Sequence, residues 1–211
     1  MRARIIKLNL LEVEASTIAE IVRVLGNDGV IVYPTDTLYG IGANCYSKKA
    51  VRKIFMIKRR PEGRGMPVLI SDLEMVQELS AEIPPLFHTL GARIWPGPLT
   101  LVLKAAAALP AELIGPERTI GIRLPDVPWI RELIRQSGVP LVATSANISG
   151  EKEISTAEEA IRLFKRKVDL IIDGGHIPDG LPSTVVDLTS EKPVIVREGA
   201  ILKPSLLEYL G

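Results

Sequence analysis

Hydroxyl, amide and cationic side chains recur in this sequence at the points where apolar, strand-like segments end. The members of this set are Thr35, Thr37, Lys58, Arg60, Arg123, Ser145, Asn147, Ser183 and Arg197. Guanidinium groups and a lysine neutralise phosphates and carboxylates, and hydroxyls fix the orientation of a bound group. The set therefore predicts a site for an anionic ligand that carries several oxygens.

Several common catalytic arrangements are absent from the sequence. No Walker-type G-x-x-x-x-G-K-[ST] occurs, and the segment G40-I-G-A-N-C departs from the Rossmann glycine spacing at Cys45. Ser145 has no G-x-S-x-G elbow, which argues against a hydrolase triad. His88 and His176 have no metal-ligand partner at helical spacing and are more typical of surface or core histidines than of catalysts. A nucleotide would have to be bound in another way.

A strand over residues 30–33 is the element around which the rest of the chain is organised. Its β-branched and aromatic residues, with no polar alternation, predict a central strand buried on both faces. Pro34 lacks a ladder donor, so the strand ends there and Thr35 and Thr37 follow at its carboxyl end. Ligands of open α/β sheets bind at that end, although an ordinary polar turn has the same composition. We expect a turn at residues 40–42, where glycines let a ligand approach the backbone.

Strand-like segments alternate with about six helical patterns, which predicts a single α/β domain with a mixed parallel and antiparallel sheet. Ser16, Ser47 and a capping box from Ser155 to Glu158 mark helix starts. Lys58 falls near the end of the second helix, so we expect it at an edge between core and solvent, where its removal leaves the fold intact. The predicted strands cover residues 4–10, 30–33, 68–70, 99–103, 119–123, 141–144, 170–173, 184–188 and 194–197.

The composition predicts a globular protein with no strong overall charge. The 211 residues are 46% hydrophobic and 24% charged, which suffices for a full core, and we expect one domain over residues 1–211. A net charge of +1 gives no global attraction to nucleic acid. The single cysteine, Cys45, excludes an internal disulfide and fits a reducing compartment. We find neither a signal peptide nor an apolar run long enough to span a membrane, and therefore expect a cytoplasmic protein.

Seven motifs, in order along the chain, carry a resemblance to a known family. They are Y33-P-T-D-T-L-Y-G-I-G, K58-R-R-P with P67-V-L-I, W95-P-G-P-L-T, T119-I-G-I-R-L-P, S145-A-N-I-S-G, P182-S-T-V-V-D and V196-R-E-G. Together they resemble the YrdC-type threonylcarbamoyl-AMP synthases, over a core of about residues 14–200. The resemblance implies a YrdC-like twisted, open, mixed sheet flanked by helices, with a positively charged concave face.

The reaction implied by this resemblance joins L-threonine, bicarbonate and ATP to give threonylcarbamoyl-AMP and pyrophosphate. A nucleotidyltransferase of this kind supplies the donor for t6A modification of adenosine 37 in tRNAs that read codons beginning with A. The resemblance implies Mg²⁺ with the nucleotide, no metal bound by the protein alone and no tightly bound organic cofactor. The implied partner is a downstream threonylcarbamoyl transferase complex, with weak RNA or tRNA binding as a further option and no membrane association.

By similarity, the functional residues fall into two groups. The resemblance assigns catalysis and ATP binding to Lys58 and Arg60, which form a K-x-R pair, and to Ser145 and Asn147, which form an S-x-N pair. It assigns Arg197 to ATP binding as well. Threonine binding falls on Thr35, Thr37, Arg123, Ala143 and Ser183, with Arg123 as the candidate for the threonine carboxylate. We expect Lys58 and Arg60 to act electrostatically and Ser145 and Asn147 to act as orienting donors to the nucleotide.

Three segments depart from the family pattern. Asp36 replaces a glutamate and keeps the carboxylate, while E62-G-R-G-M and E151-K-E replace segments that carry an asparagine or small hydroxyl residues. Two acids near a triphosphate are unexpected. The long family members have a C-terminal domain that this chain lacks, so we expect local loops to close the site.

Two other functions compete with the synthase. A basic groove of the same fold can bind double-stranded RNA or tRNA without chemistry, but a family branch of unsettled activity lacks the K-x-R and S-x-N pairs that this chain has. A carbamoyl-transfer domain of the hydrogenase-maturation type shares the fold and normally lies within a much longer protein. These features favour the synthase.

Overall fold

The computed structural model describes residues 2–61, 63–178 and 180–210. In that part of the chain the strands are β1 (Arg4–Lys7), β2 (Ile31–Pro34), β3 (Tyr39–Gly42), β4 (Val68–Leu69), β5 (Leu99–Lys104), β6 (Thr119–Arg123), β7 (Leu141–Val142), β8 (Thr144–Ser145), β9 (Leu170–Asp173), β10 (Thr184–Asp187) and β11 (Val194–Arg197). The helices are α1 (Ala15–Gly26), α2 (Lys48–Lys58), α3 (Val76–Leu79), α4 (Pro85–Ile94), α5 (Pro128–Ser137), α6 (Ala157–Phe164) and α7 (Lys203–Leu210). The α/β fold is confirmed, and β6, β9 and β11 have the predicted bounds.

The strands form two sheets, both of mixed direction. The order is β1-β9-β2-β3-β8 in the five-stranded sheet and β11-β10-β5-β6-β4-β7 in the six-stranded sheet. The predicted mixed pairing is confirmed, since β9 runs parallel to β1 and β2 whereas β3 runs antiparallel to β2 and β8. The sequence did not indicate the division into two sheets. The single strand predicted over 141–144 is two strands in the structure, because β7 and β8 lie in different sheets with Ala143 between them.

Strand β2, with Val30 just before it, lies in the middle of the five-stranded sheet and is buried on both faces, as predicted. Val30 and Val32 pack in one apolar cluster, Ile31 and Tyr33 pack in another, and all four are fully buried. Burying a side chain of this size contributes roughly 1.5–3 kcal/mol. This strand therefore anchors the polar turn that follows it.

The turn predicted at residues 40–42 is wrong, because these residues belong to β3, the antiparallel partner of β2. The chain reverses one step earlier, over residues 35–38. The glycines of β3 serve packing: a Cβ on Gly40 would lie 3.2 Å from the ring of Tyr33, and one on Gly42 would lie 2.5 Å from the Val142 carbonyl oxygen. Glycine at both positions lets the Tyr33 ring and the β7 backbone lie against β3.

Helix starts follow the predicted caps in one case of three. The Ser47 hydroxyl accepts a hydrogen bond from a backbone N–H of the first turn of α2, as predicted. Ser16 lies inside α1 and bonds to the Glu14 carboxylate, so that prediction is wrong. The cap of α6 is Thr156, whose hydroxyl accepts from the Glu159 N–H, one residue later than predicted. Both registers place a hydroxyl three residues before a glutamate, so the sequence pattern fits either.

Helices α1 and α5 pack against β2 and β9. Ile21 and Leu25 of α1 and Leu133 and Ile134 of α5 share one buried cluster with the strand residues. Their spacing places them on one face of each helix, as in an amphipathic surface helix. Among the residues that the structure describes, no helix is both long enough and apolar enough to cross a membrane.

Candidate functional site

A cavity of about 200 Å³ is lined by residues from both sheets and from the segment 143–145 that joins them. It collects eight of the ten residues that the sequence predicted for the site: Thr35, Thr37, Arg60, Arg123, Ala143, Ser145, Ser183 and Arg197. The other two, Lys58 and Asn147, are buried beside Ser145. The predicted residues are therefore brought together, while their roles stay predictions.

Thr35 shapes the turn between β2 and β3. Its hydroxyl accepts hydrogen bonds from the backbone N–H groups of Thr37 and Leu38 at 3.0 and 3.1 Å. The same hydroxyl donates to the Leu38 carbonyl oxygen at 2.7 Å. Because these bonds use the hydroxyl within the turn, Thr35 positions Thr37 at the cavity.

Arg123 stands at the end of β6, as predicted, and is only 6% exposed. Its Nε donates to the Gly97 carbonyl oxygen at 2.9 Å, and its terminal nitrogens donate to the Thr37 hydroxyl at 3.2 Å and to the Asp36 carboxylate at 2.6 Å. Burial lowers the pKa of Arg123, and the neighbouring Asp36 carboxylate opposes that shift. A guanidinium has five N–H donors, so two remain for a ligand. Asp36, which departs from the family pattern, thus holds this guanidinium in place.

Lys58 is buried, and the prediction that it lies at an exposed helix edge is wrong. It is 1% exposed, and its ammonium group donates to the Ser145 carbonyl, the Asn147 carbonyl and the Asn147 side-chain oxygen at 2.5, 2.9 and 2.9 Å. Burial lowers the pKa of Lys58 to about 8, Arg60 adds to this effect and Glu153 opposes it. The tertiary position of the 145–147 loop, which no local pattern encodes, covers the end of α2.

The S-x-N pair is joined to itself as well as to Lys58. The Ser145 hydroxyl donates to the Asn147 side-chain oxygen at 2.9 Å, and the Asn147 amide nitrogen donates to the Glu151 carbonyl oxygen at 2.6 Å. The amide oxygen and one of the two amide N–H groups of Asn147 therefore form hydrogen bonds within the loop. In this geometry Asn147 positions Ser145, and its role as a donor to the nucleotide stays a prediction.

Arg60 and Arg197 are bonded to oxygens of neighbouring backbone segments and line the cavity. Arg60 donates to the carbonyl oxygens of Arg64 and Gly65 at 2.7 and 2.6 Å. Arg197 donates to the Ser183 carbonyl oxygen at 3.1 and 2.8 Å and to its hydroxyl at 3.2 Å. Burial lowers the pKa of both groups. Neither cation forms an ion pair with a residue that the structure describes.

Glu153 is the residue of the site that the sequence prediction missed. It is half-buried and is the one carboxylate among the described residues that line the cavity. The signal was present in E151-K-E, where acidic residues alternate, but nothing local showed which of them faces inward. Of the other departures, Glu62 lies outside the described residues, so its position is not assigned.

Metal binding by side chains alone finds no support in residues 2–61, 63–178 and 180–210. No group of three or more His, Cys, Asp or Glu side chains there is placed to hold a metal ion. The predicted Mg²⁺ would come with the nucleotide, where phosphate oxygens, one or two carboxylates and several waters supply the ligands. The single carboxylate at the cavity fits such an ion.

A family model, Sua5–YciO–YrdC, described as telomere recombination, matches residues 23–199. The chain is 38% identical over 196 residues to the threonylcarbamoyl-AMP synthase of Bacillus subtilis, which covers 92% of this chain and 56% of that protein. The match thus spans little more than half of that relative.

Solved structures show the same relationship. Pyrococcus abyssi Sua5, in a structure titled as complexed with L-threonine, superposes with a TM-score of 0.92 at 33% identity and covers 100% of this chain and 61% of its own. Escherichia coli YciO has a TM-score of 0.87 at 32% identity, covering 96% of this chain and 98% of its own. One neighbour is thus much longer than this chain and the other is of similar length.

Proposed function

Because the chain belongs to the Sua5–YciO–YrdC family, we propose that it synthesises threonylcarbamoyl-AMP from L-threonine, bicarbonate and ATP, with release of pyrophosphate. The observation that carries this proposal is the cavity in which hydroxyl and guanidinium groups from both sheets converge. Relatives named threonylcarbamoyl-AMP synthase and a Sua5 structure with L-threonine support it.

The cavity suits the amino acid substrate. Its volume of about 200 Å³ is below the roughly 300–1,000 Å³ of sites for drug-sized ligands, so it suits threonine better than a whole nucleotide. The two unused N–H groups of Arg123 can bind the threonine carboxylate as a charge-assisted pair. Thr37 and Ser183 supply hydroxyls for orientation on the same cavity.

The nucleotide would then bind along the side that carries Arg60, Arg197 and Ser145. The threonine amine attacks the carbon of bicarbonate, and a C–O bond breaks with loss of water to give a carbamate. An oxygen of this carbamate then attacks the α-phosphorus of ATP while pyrophosphate leaves. Negative charge builds on phosphate oxygens in this step, so cations already in place lower its barrier. Lys58 supports this arrangement from behind, because it fixes the loop that presents Ser145.

Ser145 is not activated as a covalent nucleophile. Its hydroxyl donates to an amide oxygen and not to a base. Of the two histidines, His88 packs edge-on against Phe87, and His176 is joined through the backbone to Thr156. A nucleophilic serine needs an adjacent general base. The hydrogen bonding of Ser145 thus supports a direct displacement with no adenylyl-enzyme.

The wider biological role follows from the product. Threonylcarbamoyl-AMP is an activated carbamate, and we propose that a threonylcarbamoyl transferase complex uses it for t6A modification of adenosine 37 in tRNA. In this proposal the protein is a nucleotidyltransferase of the cytoplasm that acts in tRNA processing. A weak affinity for RNA or tRNA would favour delivery but is not required by the chemistry.

The direct test is detection of threonylcarbamoyl-AMP by mass spectrometry from purified protein, MgATP, L-threonine and bicarbonate. Pyrophosphate release should fall by as much as ~10⁴ in kcat/KM with 2-aminobutyrate, because a site that hydrogen-bonds a hydroxyl discriminates against its loss. Failure to form the product, together with tight binding of double-stranded RNA, would favour the RNA-binding alternative.

A further inference from the structure

Glu153 stands where the cavity meets a second, wider groove. That groove, of about 620 Å³, shares Leu38 and Glu153 with the cavity and continues along Lys152, His176 and Leu181. A ligand too large for the cavity alone would extend into this groove and pass the Glu153 side chain.

The Glu153 carboxylate takes part in no ion pair within the described part of the chain. It lines the cavity together with Arg60, Arg197 and Ser145. Its charge opposes the lowering of the pKa of Lys58 and Arg197 by burial. A carboxylate that lines the cavity without an ion-pair partner among the described residues is available for a bound cation.

The position of this carboxylate conflicts with phosphate binding unless a cation separates the two. Like charges at short range disfavour each other, whereas a divalent ion between them reverses the sign of the interaction. Mg²⁺ prefers oxygen ligands, keeps several waters and is bound at nucleotide sites by one or two carboxylates together with phosphates. We propose that Glu153 is the protein ligand of the Mg²⁺ that arrives with ATP, a role that rests on the proposed function.

The test measures ATP binding by calorimetry, without threonine, in the presence of Mg²⁺ and again in EDTA. With Mg²⁺, Glu153→Gln should weaken binding about tenfold, the effect typical of losing one contact to a charged group. In EDTA the same variant should bind ATP about threefold more tightly, since the repulsion between carboxylate and phosphate is gone. The opposite signs are the expected result.

The matched control is Glu151→Gln. Glu151 is exposed and lies two residues away, outside the residues that line the cavity. Its variant should bind ATP like the wild type in both conditions, which separates ion ligation from a change in net charge.

Other results would overturn the role of Glu153 in distinct ways. If Glu153→Gln bound ATP more tightly in both conditions, the carboxylate would only repel the phosphates. If ATP binding were unchanged in both conditions, Glu153 would have no part in nucleotide binding. Weaker binding of threonine alone would place it at the threonine amino group. If the wild-type protein bound ATP in neither condition, the proposed function would fail first, and the role of Glu153 with it.

Discussion

The cations around the cavity are of two kinds. Lys58 and Arg123, the inner cations, are 1% and 6% exposed and donate to oxygens held by the protein itself. Arg60 and Arg197, the rim cations, donate to backbone segments beside them and line the cavity without an acidic partner among the described residues. The family resemblance assigned all four to ligands. In the structure Lys58 donates only to the protein, Arg123 lines the cavity and keeps two N–H groups for a ligand, and the rim pair lines the cavity.

The difference has an energetic consequence. Removing one partner of a buried charged contact leaves the other uncompensated in a low-dielectric interior, which is strongly destabilising. A partly exposed cation costs little stability when it is lost, because water replaces its contacts. Loss of an inner cation should therefore lower the free energy of unfolding, with a loss of activity as well for Arg123, whereas loss of a rim cation should lower mainly the activity.

The largest expected effect is that of Arg123→Met. This variant leaves the Asp36 carboxylate, whose side chain is 17% exposed, without its partner, and should lower the free energy of unfolding by about 3–5 kcal/mol. Urea unfolding followed by circular dichroism measures it. The control is Arg135→Met, which breaks an exposed pair with Glu132 on α5 and should cost less than about 1 kcal/mol. Equal losses in the two variants would contradict the inner position of Arg123.

Lys58→Met should cause the second-largest loss in the free energy of unfolding. The variant keeps roughly the length of the side chain but removes three hydrogen bonds to the 145–147 loop. The Ser145 carbonyl and the Asn147 side-chain oxygen keep a donor within the loop, whereas the Asn147 carbonyl loses its donor among the described residues, so we expect a cost of about 1–3 kcal/mol. Lys53→Met is the control on the same helix, because Lys53 pairs with Asp169 where both side chains are about a third exposed. Similar unfolding curves for the two variants would return Lys58 to the exposed edge that its sequence position predicts.

Local signals predicted those features of the fold that short segments determine. β6, β9 and β11 and the Ser47 cap depend on side chains close in sequence, and their prediction is confirmed. The glycines of β3 were misassigned because their reason lies in the Tyr33 ring and the Val142 carbonyl. Glycine in a strand and glycine in a turn look alike without the packing partner.

The candidate site shows the same limit. The predicted polar residues converge, but not only at the carboxyl ends of strands. Ser183 precedes β10, and it lies near Arg197 at the end of β11 because these two strands are antiparallel. The sequence does not show which of these groups bond to one another. Lys58 donates to three oxygens of the 145–147 loop and Arg123 pairs with the Asp36 carboxylate, whereas Glu153 has no ion-pair partner among the described residues. These pairings join residues up to 89 positions apart, so no spacing rule reaches them.

Arg60→Gln tests the rim. It removes a charge that faces the cavity and should lower kcat/KM for pyrophosphate release by roughly 10², the effect of losing one preorganised electrostatic contact. Its free energy of unfolding should change by less than about 1 kcal/mol. Arg59→Gln is the matched control, since Arg59 is exposed and does not line the cavity. An equal loss of activity in both variants would show that overall charge, and not the position of Arg60, is responsible.

The smallest expected effect is a pH dependence that only one inner cation can show. The pKa of Lys58 is lowered from 10.5 to about 8, so between these pH values the unfolded chain binds a proton that the folded protein has lost. The free energy of unfolding then rises with pH in this window, by about 1 kcal/mol per pH unit. Subtracting the free energy of unfolding of Lys58→Met at each pH removes the contribution of the other groups that titrate in this window.

A difference that does not change with pH would mean that the three oxygens keep Lys58 charged, since hydrogen bonds to the charged form favour it. Arg123 stays charged throughout the window because a guanidinium does not deprotonate in proteins, so a slope shared by Arg123→Met would contradict the assignment to Lys58.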